Sequence, residues 1–382
     1  MNTNPQNSGK NDGIDALRGI AALLVVLFHM NQVGFGIISL AWTQIGLLGV
    51  NLFFTLSGFL IARCIMAPPV FDGRKYLSSR SRRILPNYFI AMLLVISLAD
   101  VRSLIHVSLG HALGDLFTHA LLIHGWFPDF STSIMGPFWT LSHEWMFYLL
   151  MLGAAPLLRS GKWWLVPLIM AAAAFGVRFG HAQNWWNLPG GLTHPIALWD
   201  QFAAGIIAAG LTLRSAENSP KPWLRPLLLV LGTAVVAWSV WKLLGLSLEI
   251  DPAKNKGGAF GEKVMEKFYA RRSNVLWFSP LLAAGIATAL AGIWMGTGTR
   301  WKFRLLPWMG HISYSTYLYH MPVVICFMRA FKNLPAESFA QNPTAVFFIV
   351  ITMVYAFSFF AFHFFEKPWM SVSKPIAPAA SL

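Results

Sequence analysis

An all-α fold of about ten transmembrane helices around a central polar cavity is what this sequence predicts, and three observations carry the prediction. Hydrophobic residues make up 56% of the 382 and charged residues only 12%, with a mean hydropathy of +0.55, which leaves far too little polar surface for a soluble globule. Ten segments have the length and apolarity to span a bilayer. No solenoid-period repeat or low-complexity linker separates them. The chain therefore reads as one membrane domain, 14–366, between cytoplasmic tails at 1–13 and 367–382.

The first segment, 14–34, carries Asp15, Arg18 and His29 in an otherwise apolar run. Eleven residues close almost three helical turns, so Arg18 and His29 share a face about 16 Å apart along the axis. Charged groups are costly in hydrocarbon, by roughly 2.5–3.5 kcal/mol each, so this face should meet protein or a watery cavity. A packing network, with Arg18 on Asp15 and His29 on a neighbouring carbonyl, explains the spacing equally well. The polar residues ahead of it lack a charged secretory n-region and no small-residue cleavage site follows, so the segment should stay attached.

The second segment, 43–66, contains Ser57 and Gly58, small residues that permit close helix approach. The third, 84–101, has Arg80, Arg82 and Arg83 at its mouth and Pro86 in its first turn. The stretch 100–136 is too polar for a clean span, and an interfacial or re-entrant helix is expected there. Its histidines at 106, 111, 119 and 124 do not stack on one face, which favours interfacial histidines over a metal site. The fourth segment, 136–157, places Trp139, Ser142, His143 and Glu144 in the membrane, with Thr140 and Tyr148 one turn from Glu144. Either hydroxyl offers Glu144 a purely structural partner, and His143 reads as a packed neighbour.

Segments five to eight, 163–180, 194–213, 223–245 and 274–296, are plainer, apart from Asp200. The loop 242–272 between the last two is long enough for a small amphipathic or substrate-contacting element. The ninth, 308–330, carries Ser313, Tyr317 and His320 at spacings of four and three, a polar stripe that lipid would reject. The tenth, 343–365, ends beside Glu366. Lys and Arg in alternate loops number sixteen on the side of the first residues and eleven on the other, so both termini are expected in the cytoplasm. The net charge of +14 is dispersed among loop ends, where it meets anionic lipid rather than a nucleic acid. Cys64 and Cys326 lie inside predicted spans and support neither disulfides nor a thiolate metal site.

Several runs carry a family resemblance: Asp15-Ala-Leu-Arg18-Gly with His29; Val50-Asn-Leu-Phe-Phe-Thr-Leu-Ser57-Gly58; Arg80-Ser-Arg82-Arg83-Ile-Leu-Pro86; Phe138-Trp139-Thr-Leu-Ser142-His-Glu144; Gly310-His-Ile-Ser313-Tyr314-Ser-Thr-Tyr317-Leu-Tyr-His320-Met-Pro322; and Glu366-Lys-Pro368. In this order, on separate spans, they make the chain resemble the acyltransferase 3 family of integral membrane acyltransferases. One departure is that His143 and Trp145 flank Glu144, where the family commonly has a second carboxylate or an apolar residue.

The resemblance implies a bacterial inner-membrane O-acyltransferase, with acyl-CoA, typically acetyl-CoA, as co-substrate and a hydroxyl of a surface or exported polysaccharide as acceptor. It makes His29 the base that activates the hydroxyl, a role imidazole suits near neutral pH. Glu144 is the expected carboxylate partner that fixes its tautomer, both in the outer half of the membrane. Arg80 and Arg83 look like the family's paired arginines, gripping CoA phosphates through forked donors, although positive-inside anchoring alone would also account for them. Arg18 would meet the phosphate or pantetheine part. Asp15, Trp139, Ser142, Ser313, Tyr317 and His320 carry over as supporting residues. No nucleophile elbow or zinc motif occurs, so direct transfer in a ternary complex is expected. Another donor, a small secreted acceptor, or a transporter without acyl transfer are the alternatives. The transporter ranks last because the sequence shows neither internal repeats nor paired broken helices.

Overall fold

The computed structural model describes residues 11–34, 40–98, 108–185, 193–217, 221–251, 258–296, 304–331 and 342–371. His106, Arg102 and the two tails beyond 11 and 371 lie outside them. Among the described residues there is helix and no strand. Ten long helices occupy the ten expected segments: α1 Asp12–Gln32, α2 Leu48–Met66, α3 Gly73–Leu98, α4 Trp139–Leu158, α5 Leu165–Ala182, α6 Trp199–Glu217, α7 Leu224–Leu248, α8 Arg272–Trp294, α9 Ser313–Phe331 and α10 Pro343–Ala361. Asn11 starts α1 by accepting from the Gly13 and Ile14 amides, and Asn342 caps α10 in the same way.

Eight helical stretches are long and apolar enough to cross a membrane by length and composition. Helices α4 and α9 are not among them, because these two carry the polar residues of the site, and they lie within the bundle. Successive long helices run in opposite directions. Arg159 at the end of α4 donates to the carbonyls of Ile65, Pro68 and Pro69 after α2, at 2.6–2.8 Å. Arg178 near the end of α5 meets Asp200 at the start of α6. The surface at which α1 begins is termed the near face here, and its opposite the far face.

Small residues let the site-bearing helices touch. Gly58 of α2 lies against the backbone of Phe202, and Gly205 of α6 against that of Thr55, so a Cβ at either would push the helices apart. Gly310 lies against the Asp15 backbone. That contact is made by the short helix Leu305–His311, which Ile312 separates from α9. The ninth segment is thus two helices, not one. Beyond α10 a π turn over Phe362–Glu366 brings Glu366 inside, where it accepts from Ser315 Oγ at 2.7 Å.

Two expectations change. Helix α3 begins at Gly73 rather than near 84, so Arg80, Arg82 and Arg83 are helical and half-buried, Arg80 and Arg83 on a cavity wall; apolarity alone hides a first half that is helical but charged. In the 108–136 stretch, the helix Leu109–Ala120 exposes Leu109, Leu113, Leu116 and Phe117 while burying Asp115, Thr118 and His119. Polar inside and apolar outside is the pattern of a lipid-facing helix. Its histidines are not interfacial throughout: His119 and His124 are fully buried and stack at 3.9 Å between ring centroids, with Tyr88 stacked on His124. The loop after α7 does form an amphipathic helix, Gly258–Tyr269, which buries Val264 and Phe268.

Candidate active site

A narrow cavity of about 80 Å³ is lined by Arg18 of α1, Ser57 of α2, Arg80 and Arg83 of α3, and Glu144 and Tyr148 of α4. Spacings of three and four put Arg80 with Arg83, and Glu144 with Tyr148, on single helix faces; Arg82 points elsewhere. Ser313 and Tyr317 of α9 complete the wall. The Arg80 guanidinium lies 5.9 Å from the Tyr148 ring centroid, with Nη2 3.9 Å from Cys64 Sγ. Its Nε and the Ser313 hydroxyl have no partner among the described residues. Arg18 does not pair with Asp15, which faces His311 at 3.8 Å.

Glu144 is held as an acceptor. Ser57 Oγ donates to its Oε1 at 3.0 Å, and the Tyr148 hydroxyl donates to the same oxygen. Ser57 therefore does more than permit close approach. The expected pair of His29 with Glu144 is not formed. Glu144 sits in mid-bundle, opposite the middle of α2 and at the level of the arginines, whereas His29 stands near the far end of α1.

The partner of His29 is another histidine. Its Nδ1 is 2.9 Å from the Val25 carbonyl oxygen and 3.3 Å from His320 Nε2. A carbonyl oxygen can only accept, so His29 Nδ1 carries the proton. His320 Nδ1 lies 2.8 Å from the Tyr317 carbonyl and 3.2 Å from that of Thr316, so it is protonated too and its Nε2 accepts from His29. The consequence is a His29 ring oriented through Nδ1, with a lone pair on Nε2. A carboxylate was expected in this position; an imidazole and a carbonyl occupy it. Their sequence separation of 291 residues left no local signal for the pair.

Tyr317 links the two places. Its hydroxyl donates to the Pro137 carbonyl at 2.8 Å and accepts from Thr140 at 2.6 Å, and its ring lines the arginine cavity one turn before His320. The other predicted residues lie apart. Ser142 accepts from the Gly125 amide at 3.1 Å. Both ring nitrogens of His143 face carbonyls, of Trp139 at 2.8 Å and Thr193 at 2.9 Å, so it is a packed neighbour. Trp139 lines a larger, separate cavity. Asp200, for which the sequence suggested no role, pairs with Arg178 at 3.0 Å. A lone arginine late in one apolar segment and a lone aspartate early in the next was the readable sign.

Comparison with known proteins meets this geometry from another direction. A family model described as an acyltransferase domain, Acyl_transf_3, matches residues 11–363. YrhL of Bacillus subtilis (strain 168), named as a candidate peptidoglycan O-acetyltransferase, is 26% identical over 93% of this chain and 54% of its own. BcsY of Komagataeibacter xylinus, named as a candidate membrane-bound transacylase, is 27% identical over 82% of this chain and 72% of its own. The peptidoglycan O-acetyltransferase OatA of Listeria monocytogenes is 24% identical over 81% of this chain and 49% of its own. The chain thus spans about half the length of YrhL and OatA. No solved structure matches it. The family model covers every helix from α1 to α10, and the chain belongs to the acyltransferase 3 family of integral membrane acyltransferases.

Proposed function

We propose that this chain is an O-acetyltransferase of the bacterial inner membrane that carries an acetyl group from cytoplasmic acetyl-CoA to a hydroxyl of an exported polysaccharide. In this reading the near face is cytoplasmic. The observation that carries it is the convergence of Arg18, Arg80 and Arg83 on one cavity whose wall includes Tyr317, one turn from the His320–His29 pair. Forked guanidinium donors suit the phosphates of CoA, and three cations with one lining carboxylate favour an anionic guest. The named relatives support peptidoglycan as the acceptor class.

The chemistry assigned to the histidine pair is direct transfer. The acceptor hydroxyl gives its proton to His29 Nε2, its oxygen bonds the thioester carbonyl carbon, the carbon–sulfur bond breaks, and CoA leaves as the thiol with that proton. His320 orients the base and shares the charge of the imidazolium, as a carboxylate does elsewhere. The test is mass spectrometry of surface glycans from cells with and without the gene. A mass difference of one acetyl group is expected; an unchanged profile would overturn the reading.

A further inference from the structure

A second cavity among the described residues is larger than the arginine cavity. About 490 Å³, within the range of roughly 300–1,000 Å³ usual for ligand sites, lies between the far-face ends of α2, α4, α5, α6, α7 and α8. The amphipathic helix Gly258–Tyr269 closes one side with Met265, Phe268 and Tyr269.

Two kinds of surface meet in it. Trp139, Phe268, Tyr269 and Phe278 supply aromatic faces. Arg178, Gln201 and Ser279 of the wall are held in a network with Asp200 behind it, in which Arg178 Nη1 donates to the Ala197 carbonyl at 2.7 Å and pairs with Asp200 Oδ2 at 3.0 Å; Asn274, also on the wall, donates to the Phe268 carbonyl at 2.8 Å. Ser279 Oγ donates to the same carboxylate oxygen at 3.0 Å, and Gln201 Nε2 donates to Ser279 at 3.2 Å. The network is half satisfied. Arg178 Nε, Asp200 Oδ1, Gln201 Oε1 and Asn274 Oδ1 are buried without a partner among the described residues. Buried polar groups left unpaired are costly, and a purely structural network would close on itself. Neutral hydroxyl groups, which donate and accept at once, suit the three of these groups that belong to wall residues, Arg178, Gln201 and Asn274.

We infer that this cavity is a saccharide subsite, holding one sugar unit of the acceptor chain on aromatic and amide side chains while a neighbouring unit reaches the transfer site. A sugar ring presents apolar C–H faces to aromatic rings and hydroxyls at its edge to paired donors and acceptors, which is the mixture found here. The bound guest is uncharged, because Asp200 already neutralises Arg178. Position supports the link to transfer: Val50 lines both this cavity and the arginine cavity, and Trp139 here is followed by Thr140 there. The helix Gly258–Tyr269 thereby acquires a role as one wall of an acceptor site.

The inference rests on the acetyltransferase reading for its purpose, so the test separates the two. Binding of the trisaccharide of N-acetylglucosamine, and independently of acetyl-CoA, is measured calorimetrically on the full chain in lipid nanodiscs. The trisaccharide is expected to bind the wild type and His29→Ala alike. Gln201→Leu, which leaves the Ser279–Asp200 contact in place, and Met265→Trp, which narrows the cavity, should each weaken it about tenfold or more, the effect of losing one buried hydrogen bond or its space. Both variants should bind acetyl-CoA normally, which also shows that they fold. Absent trisaccharide binding in the wild type, or equal binding in both variants, would overturn the subsite. Failure of acetyl-CoA to bind the wild type would instead remove the acetyltransferase reading.

Discussion

Arginine is used in opposite ways in the two cavities. Arg18, Arg80 and Arg83 line theirs with no described carboxylate in salt-bridge contact, Glu366 acting on Arg18 and Arg83 only from a longer range, while the buried Arg178 is locked to Asp200 at 3.0 Å. An arginine left unpaired inside a protein keeps its attraction for an anion, and one already paired is spent on the fold and offers only its remaining N–H groups. In the proposed reading, the difference suits the near cavity to a charged guest and the far one to a neutral guest. It also predicts different consequences for substitutions of the same residue type.

His29 lines neither cavity and stands beside His320, one turn beyond Tyr317 of the arginine cavity; its removal should give the largest effect. His29→Ala is expected to lower turnover by about 10² to 10⁴ while leaving acetyl-CoA binding intact, because a general base acts only in the transition state. Glu144→Gln should cost less, since the amide oxygen still accepts from Ser57 and Tyr148. If Glu144→Gln proves as inactive as His29→Ala, the carboxylate is part of the reaction and not of its frame.

Stability sharpens the contrast next. Arg178→Met strands Asp200 in the interior and should destabilise the protein by about 3–5 kcal/mol, whereas the double variant Arg178→Met with Asp200→Leu should recover most of that loss. Thermal unfolding in detergent or nanodiscs reads both. Arg80→Ala with Arg83→Ala should leave the unfolding temperature near that of the wild type and abolish donor binding. Equal destabilisation by both sets would erase the distinction between structural and ligand-binding arginines.

A finer cut uses charge without shape. Replacing Arg80 and Arg83 with Lys retains the positive-inside bias, so topology should persist. Donor affinity should still fall, by about 1.5–3 kcal/mol for lost charged hydrogen bonds. Unaltered acetyl-CoA binding in the Lys pair would leave the forked contact without support.

How far these arrangements could be read from the sequence depends on their range. Helix positions were legible because apolar length is a local property, and the ten segments emerge within a few residues except where charge masks a helix, as over Gly73–Ile84 of α3. Arg80 with Arg83, and Ser313 with Tyr317, followed from helical spacing, which the cavity reproduces. Partners across helices were not legible. Ser57 with Glu144, and His29 with His320, join segments 87 and 291 residues apart, and nothing in either local run selects one acceptor over another. The carboxylate expected beside His29 came from analogy with hydrolase triads; the fold places the carboxylate among arginines and leaves a second imidazole for the base.

The smallest predicted effect concerns a third way of handling a titratable group, which is to keep it neutral by burial. His119, on the last turn of the helix Leu109–Ala120, and His124, just after it, lie outside the ten spans and stack on each other, and burial pushes them down to about 4 and about 3. In the unfolded chain each would titrate near about 6.5. Below that value the unfolded state takes up protons that the folded state refuses, so stability is full above about pH 6.5 and declines as pH falls toward the folded values. From pH 7 to 5.5 the loss should be about 1 kcal/mol for each histidine. It should also be local, because His124 Nε2 donates to the Phe138 carbonyl at 3.0 Å, immediately before Trp139 at the far cavity. Hydrogen-exchange protection, corrected for the slower intrinsic exchange at lower pH, should fall at pH 5.5 around His119–Trp139 and stay unchanged over Arg80–Arg83. Replacing both histidines with Gln should remove the pH dependence there, and a loss of protection that persists in the Gln pair would assign it to other groups.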